Sequence, residues 1–315
     1  MSRLFTIGEA LIDFIPTKKG LGLKDVTFFK KSPGGAPANV ASAVAKLGGD
    51  SAFIGKVGAD PFGDFLVDTL NGIGVDTRYM TRTSKTNTTL AFVSLKQDGN
   101  REFLFYRNPG ADMLLDEDEI DGNWFCRDDI LHFCSVGLVE APAKYAHIKA
   151  IELLKAKKGL ISFDPNVRLP LWDDNEKCRD TIREFIPLAN IIKVSDEEIG
   201  FITGISDEKE AISSLFIGDV ELVVYTKGAK GAALYTKNFM ITIPGEEVEV
   251  VDTTGAGDAF IGAFLYKILH EGIEIEKLDK FQAYDMLKFA NKVASISVTR
   301  LGVISSLPTK DEIDE

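Results

Sequence analysis

In the second half of the chain short apolar runs alternate with longer amphipathic ones. Residues 130–134, 160–163 and 191–194 read as buried strands, and residues 141–157, 177–186 and 197–203 as the helices between them. Strands separated by helices pair in parallel with helices on both faces, so this alternation predicts a doubly wound α/β sheet, with ligands at the carboxyl ends of its strands. Nearer the start, residues 4–14 read as one strand ending at Asp13 and residues 26–30 as a shorter second one. From Ala38 the positions Val40, Ala41, Val44, Ala45 and Leu47 keep helical period and stop at Gly48 and Gly49. Residues 88–107 differ: two alternating strands flank Asp98-Gly99-Asn100, the signal of a hairpin. Leu90, Phe92, Phe103 and Phe105 form one alternating set, and Ala91, Val93, Leu104 and Tyr106 the other. Such a hairpin is apolar on both faces and needs two covering layers, which an ordinary sheet inside one core would have.

The most informative stretch is VDTTGAGDAFIGAFLYKIL, beginning at Val251. Residues 246–252 alternate acids with Val248 and Val250 like a strand, Gly255 and Gly257 open a turn, and residues 259–269 are apolar enough for a buried helix. The first amides of a helix lack intrahelical partners and lie at the positive end of its dipole, so this turn suits an anion. Asp258 then has two readings. It caps the helix, or it is a base that takes a proton from a nucleophile attacking the bound anion. The segment SPGGAPANVASAVAKLGG offers bare backbone at Gly34 and Gly35, and an Asn39 able to donate and accept, to a hydroxyl-rich ligand. It also reads simply as a loop before a helix. No GxxxxGK followed by Ser or Thr occurs, and GAGDAF lacks the third glycine of a dinucleotide fingerprint.

Composition narrows the partners. The 315 residues, 45% hydrophobic, can bury a large core. A net charge of −12 argues against nucleic acid or an anionic membrane, so any phosphate site is a local basic exception. Cys126, Cys134 and Cys178 show no metal-ligand spacing and read as core thiols in a reducing cytosol, while His132, His147 and His270 lie far apart. The apolar start soon meets Glu9, Asp13 and Pro16, and no later run could span a bilayer, so a cytoplasmic protein is expected.

DTTGAGDAF, residues 252–260, resembles the second signature of the PfkB, or ribokinase-like, carbohydrate kinases. The diglycine segment with AFIGKVGADPFG, residues 52–63, resembles the first. FLFYRNPGADMLL and LISFDPNVRLPLW are most similar to the fructokinases of that family, and the resemblance covers essentially the whole chain. It implies a ribokinase-like, mainly parallel doubly wound sheet flanked by helices. Residues 1–12, 31–86 and 108–315 would form the core, and residues 13–30 and 87–107 a β lid that closes over the sugar and joins a homodimer. Asp258 would deprotonate the sugar hydroxyl, and the amides of Gly255, Ala256 and Gly257 would hold the transferring phosphoryl group. Asp13, Gly34, Gly35, Asn39, Phe92, Phe105, Arg107 and Arg168 would line the sugar, although either arginine also reads as a surface ion-pair member. Lys193, Ser195, Thr226, Gly228, Lys230, Gly231 and Asn291 would face ATP. Ser195 stands where ribokinases carry Asn. Glu198 would organise Mg2+ through water, and Asp252, Thr254, Ser297, Gly302 and Ser306 a monovalent cation, K+.

Three activities compete on this reading. The first is phosphorylation of D-fructose by ATP, giving D-fructose 6-phosphate and ADP. The second is a kinase for 2-keto-3-deoxygluconate, because two arginines near the sugar also suit a carboxylate. Kinases of that acid carry Tyr where Phe92 and Phe105 stand, which favours fructose. The third is a non-catalytic sugar-binding regulator, against which the intact DTTGAGD argues.

Overall fold

The computed structural model describes residues 2–18, 20–95 and 101–314. Its strands are β1 (Leu4–Ile7), β2 (Leu11–Pro16), β3 (Phe29–Gly34), β4 (Ser51–Gly58), β5 (Met80–Thr83), β6 (Leu90–Leu95), β7 (Arg101–Tyr106), β8 (Ile130–Cys134), β9 (Leu160–Asp164), β10 (Ile191–Ser195), β11 (Leu222–Thr226), β12 (Ala232–Thr236) and β13 (Met240–Ile243). Nine of them form one sheet in the order β13-β12-β11-β10-β9-β8-β1-β4-β5, parallel from β5 through β11 and antiparallel beyond. The chain begins in the middle and builds outward, first toward β5 and then from β8 toward β13. The switch point therefore lies between β1 and β8, and the crevice outside their carboxyl ends is where such sheets bind ligands.

Both faces of this sheet are buried. On one, Phe5, Phe133 and Phe163 pack with Ile151 of α3 (Pro142–Ala156) and Ile182 of α4 (Asn175–Phe185), completed by the short α5 (Ile199–Thr203) and α6 (Glu208–Ser214). On the other, Leu4 and Val224 pack with Val44 of α1 (Ala36–Lys46), Phe264 of α7 (Ala256–Glu271) and Leu287 of α8 (Lys280–Val298). The helix α2 (Pro61–Ile73) covers a third cluster beside β4. Residues buried on both sides lose the period-2 signature of a half-buried strand, so these strands read as short apolar runs. Helix α7 is enclosed by α1 and α8. A Cβ on Gly262 would stand 2.6 Å from that of Ala43, and its absence lets α1 and α7 approach closely.

The remaining strands form a four-stranded sheet in the order β3-β2-β6-β7. It takes in Leu11–Pro16 and Phe29–Gly34, and so reaches beyond residues 13–30 at both ends. The single strand expected over residues 4–14 is two strands in different sheets. The chain turns out of the first at Gly8 (φ 148°), where a Cβ would lie 2.7 Å from Pro37 Cγ. Periodicity missed this because Leu4, Phe5, Ile7, Leu11 and Ile12 are all buried.

Three further expectations need correction. Phe92 and Phe105 do not share a face, because Phe92 is registered opposite Leu104 and Phe105 opposite Ala91, and a shift of one residue reverses the side. Their connecting Asp98-Gly99-Asn100 lies outside the described residues. Residues 246–252 are not a strand either: after β13, Pro244 removes a ladder donor, and Val248, Val250 and Val251 are exposed. Both Val251 N and Asp252 N instead donate to Val298 O at the end of α8 (2.8 and 3.1 Å). Helix α8 starts at a capping box between Asp279 and Gln282. Cys134 and Cys178 are buried, but Cys126 is exposed and so is not a core thiol. Among the described residues no helix is long and apolar enough to cross a membrane.

Candidate active site

Gly255 takes the left-handed conformation (φ 76°) immediately before α7, and a Cβ there would lie 2.1 Å from Val303 Cγ1. Only glycine fits both demands. Asp258 follows in the first turn, yet no side chain caps this helix. Its Oδ2 accepts a hydrogen bond from Asn39 Nδ2 of α1 (2.8 Å), so the carboxylate is held across the crevice rather than on its own backbone. Asn39 Oδ1 is buried and accepts no hydrogen bond among the described residues, which leaves it for a ligand hydroxyl. Burial raises the Asp258 carboxyl above the usual carboxylate range, against the opposing pull of Asn39, Lys193 and Arg168.

Lys193, near the end of β10, brings the local positive charge. Its Nζ is 2.8 Å from Asp164 Oδ2, and a Cβ on Gly257 would stand 3.0 Å from that same Nζ. The ammonium therefore lies against the anion-attracting start of α7. Burial disfavours its charge, but Asp164, Glu198 and Asp258 outweigh burial and hold the ammonium protonated above its ordinary range. Glu198, just before α5, accepts from Val167 N (2.7 Å) on one oxygen and from Ser195 Oγ (2.7 Å) and N (3.2 Å) on the other.

On the sugar side, Asp13 of β2 lies over Gly34 of β3, where a Cβ would come within 2.1 Å of its Oδ2. Gly35 (φ 105°) would likewise press a Cβ onto Glu9 O, at 2.3 Å. The diglycine is thus required by its neighbours before any ligand is considered. Burial pushes the Asp13 carboxyl up to about 7, with Arg168 pulling it down and Asp258 pushing it further up. Arg168 is exposed on the loop after β9, so its charge faces both Asp13 and Asp258.

Several expected residues lie elsewhere. Arg107 is neither a surface ion-pair member nor turned toward Asp13: it is buried, with Nε 2.8 Å from Asp112 Oδ2 and Nη2 3.1 Å from Val136 O. Phe105 shares the face of Asp13 through Ala91, whereas Phe92 stacks on Phe14 (4.7 Å between centroids) on the opposite face. That opposite face also carries Phe29 and Tyr106 and continues onto Phe62 of α2.

Thr226 ends β11, and Gly228 (φ 51°) and exposed Lys230 form the short turn that follows. Gly231 (φ 97°) is required by packing, since a Cβ would meet Ile243 O at 2.2 Å. Asn291 Nδ2 donates to Pro244 O (3.2 Å), tying α8 to the loop after β13. Asp252 accepts from Thr254 N (3.0 Å) and Oγ1 (2.6 Å) on one oxygen and from Gly302 N (3.3 Å) on the other, drawing the loop before α7 to the loop after α8 that holds Ser306, while Ser297 lies in the last turn of α8. Ser297 and Ser306 donate their hydroxyls to Ala294 O and Val303 O (2.8 Å each). This all-oxygen set suits a hard cation. Among the described residues no three acidic, imidazole or thiol groups converge on a metal position. A divalent ion held mainly by nucleotide phosphates and water, beside Glu198, fits that donor set.

Sequence reasoning missed two buried acids. Asp164 and Glu9 are 1% and 3% exposed, and Glu9 Oε1 accepts from Ala36 N (3.1 Å) at the start of α1. The available signal was an acid at or just past the end of an apolar run, in ISFD and TIGE.

The pattern of the pfkB family carbohydrate kinases matches residues 1–310. Probable fructokinase-5 of Arabidopsis thaliana is 45% identical over 307 residues, 97% of this chain and 94% of its own. A double-mutant fructokinase from Vibrio cholerae O395 with fructose, ADP and potassium bound superposes with a TM-score of 0.89 at 36% identity, over 100% of this chain and 97% of that one. Fructokinase with bound ATP from Xylella fastidiosa gives 0.90 at 34% identity, over 99% and 96%. A match of this extent, with the glycine turn and its carboxylate inside it, means that the chain belongs to the pfkB family of carbohydrate kinases.

Proposed function

We propose that this kinase transfers the γ-phosphoryl group of ATP to D-fructose, giving D-fructose 6-phosphate and ADP, with Asp258 as the base. The observation that carries the reading is a buried carboxylate fixed by Asn39 at the start of α7, with the Lys193 ammonium against the same turn. Asp258 takes the proton of the sugar hydroxyl, the freed oxygen bonds to the γ-phosphorus, and the bond from phosphorus to the bridging oxygen breaks to release ADP. Phosphoryl transfer asks mainly for positioning and for relief of spread negative charge. Lys193 and the amides at Gly255 to Gly257 supply that relief. The raised Asp258 carboxyl is a stronger proton acceptor than an exposed one. Asp13, Gly34, Gly35, Asn39, Phe105 and Arg168 line the sugar in this reading, and Thr226, Gly228, Lys230 and Asn291 the nucleotide. The small sheet is the lid that keeps water from the phosphoryl group. Mg2+ accompanies ATP beside Glu198, and K+ lies between the loops that Asp252 joins. A cytoplasmic location fits three free cysteines.

Fructose is favoured over a keto acid by Arg107, whose buried ion pair with Asp112 leaves Arg168 as the exposed guanidinium facing Asp13. Two guanidinium groups clamped on a carboxylate would select the acid; one facing two carboxylates of its own does not. With Phe92 on the far face, Phe105 alone withholds the hydroxyl that a tyrosine would offer.

A coupled ADP-release assay should give a higher kcat/KM for fructose than for 2-keto-3-deoxygluconate. The reverse order overturns the sugar while leaving a kinase. Potassium should raise the rate at saturating magnesium, and equal rates with and without potassium would remove the cation from this reading. The outer face of the lid exposes Leu104 and Tyr106, and we pair two copies through it. Light scattering at micromolar concentration should give a dimer mass, and a monomer there contradicts the pairing.

A further inference from the structure

We propose that Asp164 is the positioning residue of this site: one carboxylate oxygen holds Lys193 against the first turn of α7, and the other fixes the loop that carries Arg168. The inference rests on the reading of Lys193 as the cation at the transferring phosphate. Asp164 ends β9, with Asn166 two residues on and Lys193 on the next strand, and it lies within bonding distance of both. Its Oδ2 lies 2.8 Å from Lys193 Nζ, and its Oδ1 accepts from Asn166 N at 3.1 Å. Asn166 is buried in the left-handed conformation (φ 42°), which an unsupported asparagine adopts at a cost. Pro165 O accepts from Ser135 N (3.2 Å), and Val167 N donates to Glu198. The loop is thus fastened at successive residues, with Asp164 as the fastening shared with the phosphate side.

Charge accounting makes this position exacting. Lys193 has three acids for company, Asp164, Glu198 and Asp258. Glu198 already accepts from Ser195 and from Val167, so an ammonium released by Asp164 turns to Asp258. It then leaves the phosphate and occupies the base together. Asp164 therefore keeps the cation and the base apart, which is a demand on turnover rather than on sugar binding.

The test is a double-mutant cycle of Asp164→Asn and Lys193→Gln, read as kcat, KM for fructose and thermal midpoint. The asparagine carbonyl still accepts from Asn166 N while its amide group repels Lys193. Asp164→Asn should lower kcat by about 10²-fold, the scale of a misplacement near 1 Å, with KM for fructose unchanged. The double variant should be no slower than Lys193→Gln within about twofold, the usual additivity error. Normal kcat in Asp164→Asn beside a slow Lys193→Gln overturns the inference, as do losses that multiply in the double variant. A rise in KM for fructose in step with the fall in kcat reduces Asp164 to a structural residue. Normal kcat in Lys193→Gln overturns the phosphate reading of that lysine and this inference with it. Should Asp164→Asn fail to fold, the double variant, neutral at both positions, is compared with Lys193→Gln: equal kcat supports the role and a further drop contradicts it.

Discussion

One largely buried lysine among three acids is the constraint on which this site depends. Charges removed from water are tolerated only when paired and hydrogen-bonded. Here the pairings are specific: Asp164 takes Lys193, Glu198 takes Ser195 and two backbone amides, and Asp258 takes Asn39. Asp164 to Lys193, Glu198 to Val167 and Asp258 to Asn39 each join elements distant in sequence, so the α/β core is what brings them within reach. The sheet delivers Asp164 and Lys193 at the ends of neighbouring strands, β9 and β10, and the packing of α1 on α7 delivers Asn39 to Asp258. An anion arriving at the start of α7 meets the helix dipole and the ammonium together.

The parts of this arrangement that were legible in the sequence are those that physics writes locally. Helix α7 announces itself by an unbroken apolar run after two glycines, and β8 to β10 by apolar runs at helix-sized intervals. The glycines could be seen, but not their reasons. Gly34 makes room for Asp13, Gly255 for Val303 and Gly231 for the end of β13, all contacts between segments far apart in the chain. Arg107 illustrates the same limit. Its spacing from Asp112 is plain in the sequence, but the burial that turns both inward arises from tertiary packing.

The lid shows how a correct element can carry a wrong face. The hairpin was readable, yet with apolar residues in both alternating sets nothing local decided which of them meet across the strands. Pairing of β6 with β7 sets Phe92 against Leu104, and the aromatic stack with Phe14 and Phe29 follows from that register. Only the parallel pairing of β2 with β6 then assigns the face of Asp13 to Ala91 and Phe105. Residues 246–252 fail for the opposite reason: their alternation is strand-like, but among the described residues no strand pairs with them.

The central claim is that the Asp258 carboxylate takes the proton of the sugar hydroxyl. Asp258→Asn keeps the shape of the side chain and removes its basicity, so kcat and the calorimetric affinity for ATP should be measured together on that variant. In Asp258→Asn, kcat should fall by about 10²- to 10⁴-fold while ATP binds as tightly as before. A variant that binds ATP normally and turns over at close to the original rate would contradict it.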